Sequence, residues 1–275
     1  MNLKEALKGK LTIVEFSRLK TAFDNVGNIA IIEIDEELEP KEKMIAQTLI
    51  DMHKPITTVV KKVGIHKGEL RLQTVKILAG KKTKETIHKE SACRLKLNVE
   101  KVYFSVRLGT ERLRISKLIK PDEEVLVMFS GCAPYPCVLS KNSSAKHITG
   151  VELNKDGHEY GLENVRLNKV KNVDLYHGDV RKVVPKLKKK FDRVLMPLPK
   201  SAEDFLDIAL GTVKKGGTIH FYDFLHIDDI PKSALAKIRK ACKIAGKRYK
   251  TLSWNKCGSH APRTFRICVD FKVLN

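Results

Sequence analysis

The 275-residue sequence lacks the signatures of membrane, secreted and metal-binding proteins. No apolar run reaches the roughly 18 residues of a transmembrane helix, and the polar start Met-Asn-Leu-Lys-Glu-Ala-Leu-Lys has no apolar signal-peptide core. The 6 cysteines form no CxxC pair and have no histidine neighbour at zinc spacing. Because 42% of the residues are hydrophobic, a disordered chain is also excluded. We therefore expect a soluble, cytoplasmic protein with reduced, mostly buried cysteines and no metal.

Acidic residues are scarce relative to basic ones. The chain has 53 Lys and Arg against 32 Asp and Glu, which gives a net charge of +21. Residues 43–120 hold 19 basic and 6 acidic side chains, residues 1–42 hold 6 and 9, and a second basic cluster lies within residues 181–193. Such an excess attracts phosphate backbones, which predicts a nucleic-acid partner. A lysine-rich thermophilic composition is the competing interpretation, and a membrane surface is disfavoured because no amphipathic anchor helix is evident.

The pattern of the sequence changes after Lys120. Before it, a predicted helix at residues 40–52 is followed by short β-rich runs, among them residues 70–72 and 102–105, in which apolar and basic residues alternate. After it, β-runs alternate with helix-like segments, which is typical of βαβ units and a parallel sheet. We predict three parts: an N-terminal segment at 1–42, a small basic α+β module at 43–120, and a Rossmann-like α/β domain of six or seven strands at 121–275.

The residues that follow the first strands of the α/β domain are candidates for ligand binding, since open α/β sheets bind ligands beyond the carboxyl ends of their strands. Phe129 and Gly131 follow the first predicted strand, in a loop without GxGxxG, Glu152 and Asn154 follow the second, and Asp179 follows the third. Each acid alone is more simply a helix cap. Together they resemble the S-adenosylmethionine site of class I methyltransferases, which would place Glu152 on the ribose hydroxyls and Asp179 near the adenine amino group.

Three further stretches carry a narrower resemblance. They are Thr83–Glu90, the run Val102-Tyr-Phe-Ser-Val-Arg-Leu-Gly-Thr-Glu-Arg-Leu-Arg, and Met196-Pro-Leu-Pro-Lys-Ser-Ala. From about residue 43 onward the chain resembles the tRNA (guanine-37, N1)-methyltransferase family of archaea and eukaryotes, whose separate N-terminal domain looks absent or replaced by the first 40 residues. The Pro-Leu-Pro form resembles the archaeal wyosine-pathway branch, which methylates N1 of guanosine 37, C7 of 4-demethylwyosine, or both.

The resemblance implies a substrate, a cofactor and residue roles. The substrate would be the anticodon arm of tRNA, with tRNA-Phe expected, the cofactor S-adenosylmethionine, and the enzyme a monomer. Glu111 would accept the N1 proton, Arg71 would stabilise charge on O6, and Pro197 would replace the family's catalytic-site asparagine. Arg107 and Arg112 would brace Glu111. The expected cofactor contacts are Tyr103, Arg107, Phe129, Gly131, Glu152, Asn154, Asp179 and Pro199, and the expected RNA contacts are Arg112, Arg114, Lys186, Lys188 and Lys189.

Several simpler interpretations remain open. Glu111 and Arg107 are four residues apart and could form a plain helix ion pair. Tyr103 could be a core residue. Cys132 has no histidine placed to activate it as a nucleophile. Val127 stands where the family has an aspartate, which leaves Glu152 with more of the cofactor anchoring. Two rival functions also remain: the related aminocarboxypropyl transferase, which uses the same cofactor, and a catalytically idle RNA-binding protein.

Overall fold

The structure is a computed structural model that describes residues 2–64, 68, 70–198 and 200–275. The chain divides into two compact units, residues 1–89 with 94–106 and residues 90–93 with 107–275. The boundary expected at residue 121 therefore lies inside the second unit. The reason is that Ile115, on the helix before it, shares a hydrophobic core with Val125 and Val127 of the strand that follows. Among the described helices, none is long and apolar enough to cross a membrane.

The first unit is an α+β module. Its strands are β1 (Asp24–Val26), β2 (Ile29–Ile32), β3 (Thr58–Lys62), β4 (Val75–Gly80), β5 (Glu85–Glu90) and β6 (Cys93–Asn98). β1 to β4 form one sheet in chain order, in which β2 and β3 are parallel and the other neighbours antiparallel, while β5 and β6 form a second sheet. Its helices are α1 (Leu3–Leu7), α2 (Ile13–Arg18) and α3 (Glu42–Met52), with a 3-10 helix at Glu36–Lys41. The core lies between α3 and this sheet, where Ile45 and Leu49 join Val59.

The strands predicted at residues 70–72 and 102–105 are wrong. Arg71 has a φ of 55°, in the left-handed region that no β-strand continues through. Tyr103 to Ser105 lead without regular structure into a 3-10 helix at Val106–Leu108. Alternation of apolar and basic residues is therefore not sufficient for a strand in this part of the chain.

The second unit contains a seven-stranded sheet, as predicted. Its strands are β7 (Glu124–Met128), β8 (His147–Glu152), β9 (Val173–His177), β10 (Phe191–Met196), β11 (Val213–His226), β12 (Tyr249–Ala261) and β13 (Thr264–Val273). Their order is β12-β13-β11-β10-β7-β8-β9. The five strands from β11 to β9 are parallel, whereas β13 runs antiparallel to β11 and β12 antiparallel to β13.

Helices cover both faces of this sheet. They are α4 (Gly109–Leu118), α5 (Pro134–Asn142), α6 (Lys155–Leu167), α7 (Val180–Lys186), α8 (Leu206–Thr212) and α9 (Lys232–Ile244), with short 3-10 helices at Ala202–Phe205 and Ile227–Asp229. α7, α8 and α9 pack on one face around Phe191 and Phe221. α4 and α5 pack on the other face, around Tyr135 and Leu195. This doubly wound arrangement confirms the predicted fold class.

The order in which successive strands are added to the sheet reverses at β7. The chain runs from β7 to β8 and β9 on one side, then returns to place β10 and β11 on the other. The carboxyl end of β7 is therefore the topological switch point, where sheets of this kind leave a crevice for a ligand. The loop that begins at Phe129 starts there.

Candidate active site

The loop after β7 has an unusual backbone. Phe129, Gly131 and Ala133 have φ values of 60°, 57° and 62°, so three of five consecutive residues are left-handed. For residues with a Cβ this conformation costs about 1–3 kcal/mol, and it persists where the surroundings hold it, often at ligand sites. The Phe129 ring packs edge-on against Phe205 with centroids 4.9 Å apart. This packing fixes the start of the loop.

Glu152, at the end of β8, holds the loop in place. One carboxylate oxygen accepts a hydrogen bond from the Gly131 backbone N–H at 2.5 Å, and the other accepts one from the Asn154 N–H at 2.8 Å. Burial raises the pKa of Glu152, and the hydrogen bonds from Asn154 and Gly131 oppose that rise. The predicted acid of the second strand therefore stands beside the predicted glycine of the first.

Asn154 and Asp179 cap the helices that follow β8 and β9. The Asn154 side chain accepts from the Asp156 N–H at 3.1 Å, and that of Asp179 from the Arg181 N–H at 2.8 Å. The helix-cap interpretation is thus confirmed for Asp179. Its contact with adenine and the cofactor contact of Asn154 stay predictions.

Glu111 lies on α4 and is buried, with 5% of its surface exposed. Its two oxygens accept from the Arg114 guanidinium at 2.6 and 2.8 Å, and Tyr222 donates its hydroxyl proton to Oε1 at 2.8 Å. The interpretation of Glu111 as one half of a plain helix ion pair with Arg107 is wrong, because its ion-pair partner is Arg114. An oriented carboxylate of this kind is suited to accept a proton.

The structure corrects the RNA contact predicted for Arg112, whereas the one predicted for Arg114 stays a prediction. Arg112 is 1% exposed and forms a two-pronged ion pair with Glu90, both contacts being 2.5 Å, so it has no surface to offer a phosphate. Arg112 was also expected to brace Glu111, but its ion-pair partner is Glu90. Arg114 is committed to Glu111 and Asp270. The remaining predicted RNA contacts lie at or near the surface, with Lys186 and Lys188 exposed and Lys189 ion-paired to Glu124.

Other predicted site residues are distributed over both units. Arg71 and Tyr103 belong to the first unit, where the guanidinium lies 4.8 Å from the centroid of the tyrosine ring. In the second unit, an Arg107 N–H reaches the Ser259 carbonyl at 3.5 Å. Pro197 follows β10 directly and is half-buried, whereas Pro199 lies outside the described residues.

All six cysteines are buried and unpaired, as predicted. Burial raises the pKa of Cys132 to about 12, which leaves a thiol rather than a nucleophilic thiolate at neutral pH. Sequence reasoning missed Tyr222, which orients Glu111. The available signal was a tyrosine inside the buried β-run Gly217-Thr-Ile-His-Phe-Tyr, where its hydroxyl needs a partner.

The chain is similar to known proteins over most of its length. The family model of the TRM5/TYW2 methyltransferase domain matches residues 86–251, and that of the TYW2 N-terminal domain matches residues 3–83. The tRNA (guanine(37)-N(1))-methyltransferase Trm5b of Pyrococcus abyssi is 39% identical over 93% of this chain and 76% of its own length. The tRNA 4-demethylwyosine(37)-methyltransferase Taw21 of Saccharolobus solfataricus is 31% identical over 90% and 92%. The tRNA(Phe) (4-demethylwyosine(37)-C(7)) aminocarboxypropyltransferase of Pyrococcus horikoshii is 28% identical over 99% and 96%.

Solved structures of Trm5b and TYW2 are also similar to this chain. The crystal structure of wild-type Trm5b from Pyrococcus abyssi superposes with a TM-score of 0.88 at 38% identity, covering 96% of this chain and 79% of that one. The structure of P. horikoshii TYW2 in complex with MeSAdo gives 0.82 at 25% identity, covering 99% and 98%. Since a family model matches more than half of the chain and Trm5b is similar across most of it, the chain belongs to the TRM5/TYW2 methyltransferase family.

Proposed function

We propose that this protein transfers the methyl group of S-adenosylmethionine to the purine at position 37 of tRNA. The observation that carries the proposal is Glu152 joined to the left-handed loop of Gly131 at the switch point of a TRM5/TYW2 sheet. Trm5b and Taw21 are both named as methyltransferases of position 37. Because both relatives are named for position 37 of tRNA, we infer the same class of substrate for this chain.

The residues at the switch point fit S-adenosylmethionine. Glu152 accepts the backbone N–H groups of Gly131 and Asn154 on different oxygens, and since an ionised carboxylate has about four acceptor sites, acceptor capacity remains for a ribose hydroxyl. The left-handed conformation of Gly131 allows a turn at which a ligand can come close to the backbone. When bound, S-adenosylmethionine supplies the electrophilic methyl group.

Glu111 is the general base of the proposed reaction. The N1 proton of guanine must leave as the methyl arrives, and a carboxylate held by Arg114 and Tyr222 is oriented to accept it. Such a reaction depends mainly on orientation, because the methyl moves in line from sulfur to nitrogen. The stabilising role of Arg71 stays a prediction from the resemblance.

The acceptor atom is the finer part of the proposal. Pro197 has no backbone N–H and no side-chain amide, so it cannot orient guanine as the family's asparagine would. We propose that the site accepts both guanosine, methylated at N1, and 4-demethylwyosine, methylated at C7. Taw21, named for the second substrate, matches this chain over 92% of its own length.

Two forms of tRNA-Phe provide the test, one with guanosine at position 37 and the other with 4-demethylwyosine. After incubation with S-adenosylmethionine, the nucleosides are identified by mass spectrometry. The proposal expects 1-methylguanosine from the first and isowyosine from the second. Product from only one of the two would correct the acceptor assignment and keep the methyl transfer.

The same experiment tests the two rival functions. An aminocarboxypropyl adduct on 4-demethylwyosine would replace the proposal with the activity named for the P. horikoshii relative. An unmodified tRNA, together with no heat of S-adenosylmethionine binding in calorimetry, would favour an RNA-binding protein without catalysis.

A further inference from the structure

A chain of buried polar side chains runs beneath α4. His220 on β11 is completely buried and lies directly opposite Asp270 of the antiparallel strand β13, which is 2% exposed. The His220 Nδ1 and an Asp270 carboxylate oxygen are 2.6 Å apart. Buried charge is costly unless it is paired, so this cluster needs a reason to be there.

Arg193 fixes the tautomer of His220. Its guanidinium lies 2.7 Å from the His220 Nε2 and can only donate, so Nε2 is the acceptor and Nδ1 carries the proton given to Asp270. Burial lowers the pKa of His220 and outweighs the opposing effect of Asp270, which keeps the ring neutral. Arg193 is itself held by both oxygens of Glu123, at 2.7 and 3.0 Å.

Asp270 is a fixed anion. Burial alone would raise its pKa, but the hydrogen bonds from His220 and Arg114 hold the pKa well below the usual range. One oxygen accepts from His220 and from the Cys268 thiol at 3.2 Å, and the other from Arg114 at 2.7 Å and the Ser253 hydroxyl at 2.9 Å. The carboxylate is therefore fully oriented.

A metal ion is the obvious alternative at this cluster. Ligand atoms of His220, Cys268 and Asp270 all lie within 4.8 Å of one another. However, the guanidinium groups of Arg193 and Arg114 donate to His220 and Asp270, and both would stand beside the cation. Two adjacent positive charges disfavour a metal here and favour a hydrogen-bonded network.

Arg114 connects this network to Glu111. Its guanidinium donates to Asp270 at 2.7 and 3.3 Å and to Glu111 at 2.6 and 2.8 Å. One positive charge is thus shared by two carboxylates, and the group of three keeps a net negative charge. The shared guanidinium therefore fixes the position of Glu111 relative to Asp270.

We propose that Asp270, oriented by His220, is a positioning residue for the methylation of N1: it holds Arg114, and through Arg114 it sets the orientation of Glu111. The inference rests on the proposed function, because the role of Glu111 as a base belongs to that proposal. Asp270 does not touch the substrate; its effect passes through Glu111.

Single variants give the first test. In Asp270→Asn the amide keeps the shape but loses the charge, so Arg114 closes on Glu111. We expect kcat for N1 methylation to fall by about 10- to 100-fold, while KM for tRNA and the affinity for S-adenosylmethionine in calorimetry stay unchanged. Asp192→Asn is the matched control, since Asp192 is also ion-paired, to Lys214 at 2.8 Å, and it should keep the full rate.

A double variant separates positioning from a structural role. If Asp270 acts through Glu111, then Glu111→Gln with Asp270→Asn should be no slower than Glu111→Gln alone. Should Asp270→Asn not fold, Arg114→Lys takes its place, because lysine keeps the charge but cannot clasp both carboxylates with paired bonds. The same lack of additivity with Glu111→Gln is expected.

The outcomes are distinguishable. A slow Glu111→Gln beside a fully active Asp270→Asn, or two losses that multiply in the double variant, would overturn this inference and leave the proposed function intact. An undiminished Glu111→Gln would remove the base assignment and the inference with it. A wild-type product without a new methyl group would overturn the proposed function itself.

Discussion

At the residue scale, the two substrates make different demands on Glu111. Methylation of guanine N1 requires removal of a proton, whereas methylation of a carbon such as C7 requires electron density at that carbon. Glu111 is buried and held by Arg114 and Tyr222, an arrangement suited to the first demand. Pro197, by contrast, is expected to affect how the base is held.

We expect Glu111→Ala to lower the rate of N1 methylation more than that of C7 methylation. A positioned general base contributes about 10²- to 10⁴-fold, and only the N1 reaction uses it. Single-turnover rates on the two forms of tRNA-Phe measure the difference. Equal losses on both substrates would contradict the base assignment.

Pro197→Asn should shift preference towards plain guanosine, since the asparagine amide restores a donor and an acceptor beside the base. The ratio of kcat/KM for the two tRNA forms is the measurement. Because Pro197 is half-buried in a loop, the variant should fold normally, which thermal unfolding checks. An unchanged ratio would show that this position does not set selectivity.

At the element scale, the ends of β8 and β9 were predictable, whereas the edge strand β12 was not. The runs ending at Glu152 and before Asp179 were predicted as strands and are β8 and β9, so both acids lie at or just after strand ends as expected. β12 was missed because it is an edge strand with most side chains exposed, and it has no continuous apolar run. The partners of Arg112 and Arg114 were also missed, because Glu90 and Asp270 are distant in sequence and only the fold brings them close.

The link between β8 and the loop after β7 predicts a pH dependence of cofactor binding. Burial raises the pKa of Glu152, so its carboxylate takes up a proton at a higher pH than an exposed glutamate does. Protonation turns one acceptor oxygen of the carboxylate into a donor, so affinity for S-adenosylmethionine should fall as the pH drops through the raised pKa of Glu152. Calorimetry across this range measures it.

Glu152→Gln is the control for that titration. It should bind S-adenosylmethionine more weakly at every pH and show a flatter profile, because the amide does not titrate. If wild type and variant lose affinity in parallel on acidification, a group other than Glu152 is responsible.

At the scale of the whole molecule, the charge of +21 is only partly available to RNA. In the cluster at residues 181–193, Arg193 is buried against Glu123, and Arg181 and Lys189 are paired with Asp207 and Glu124. The total charge predicted an anionic partner, but only the fold shows which lysines face solvent. Lys186 and Lys188 remain exposed.

Replacing two of the exposed lysines, as Lys186→Glu with Lys188→Glu, should weaken tRNA binding and leave S-adenosylmethionine binding unchanged. Each lost phosphate contact should reduce the salt dependence of log K by about 0.7–0.9. Binding titrations at several salt concentrations measure this slope. The control is Lys8→Glu with Lys10→Glu, in the acidic first 42 residues, and an equal loss there would contradict a local contact.

The transferred group is the most direct test of the central claim. S-adenosylmethionine labelled with one isotope in its methyl group and another in its aminocarboxypropyl group is incubated with the protein and both forms of tRNA-Phe, and label is followed into nucleoside 37. The proposed function predicts that only the methyl label reaches the tRNA. Transfer of the aminocarboxypropyl label would contradict the proposed function.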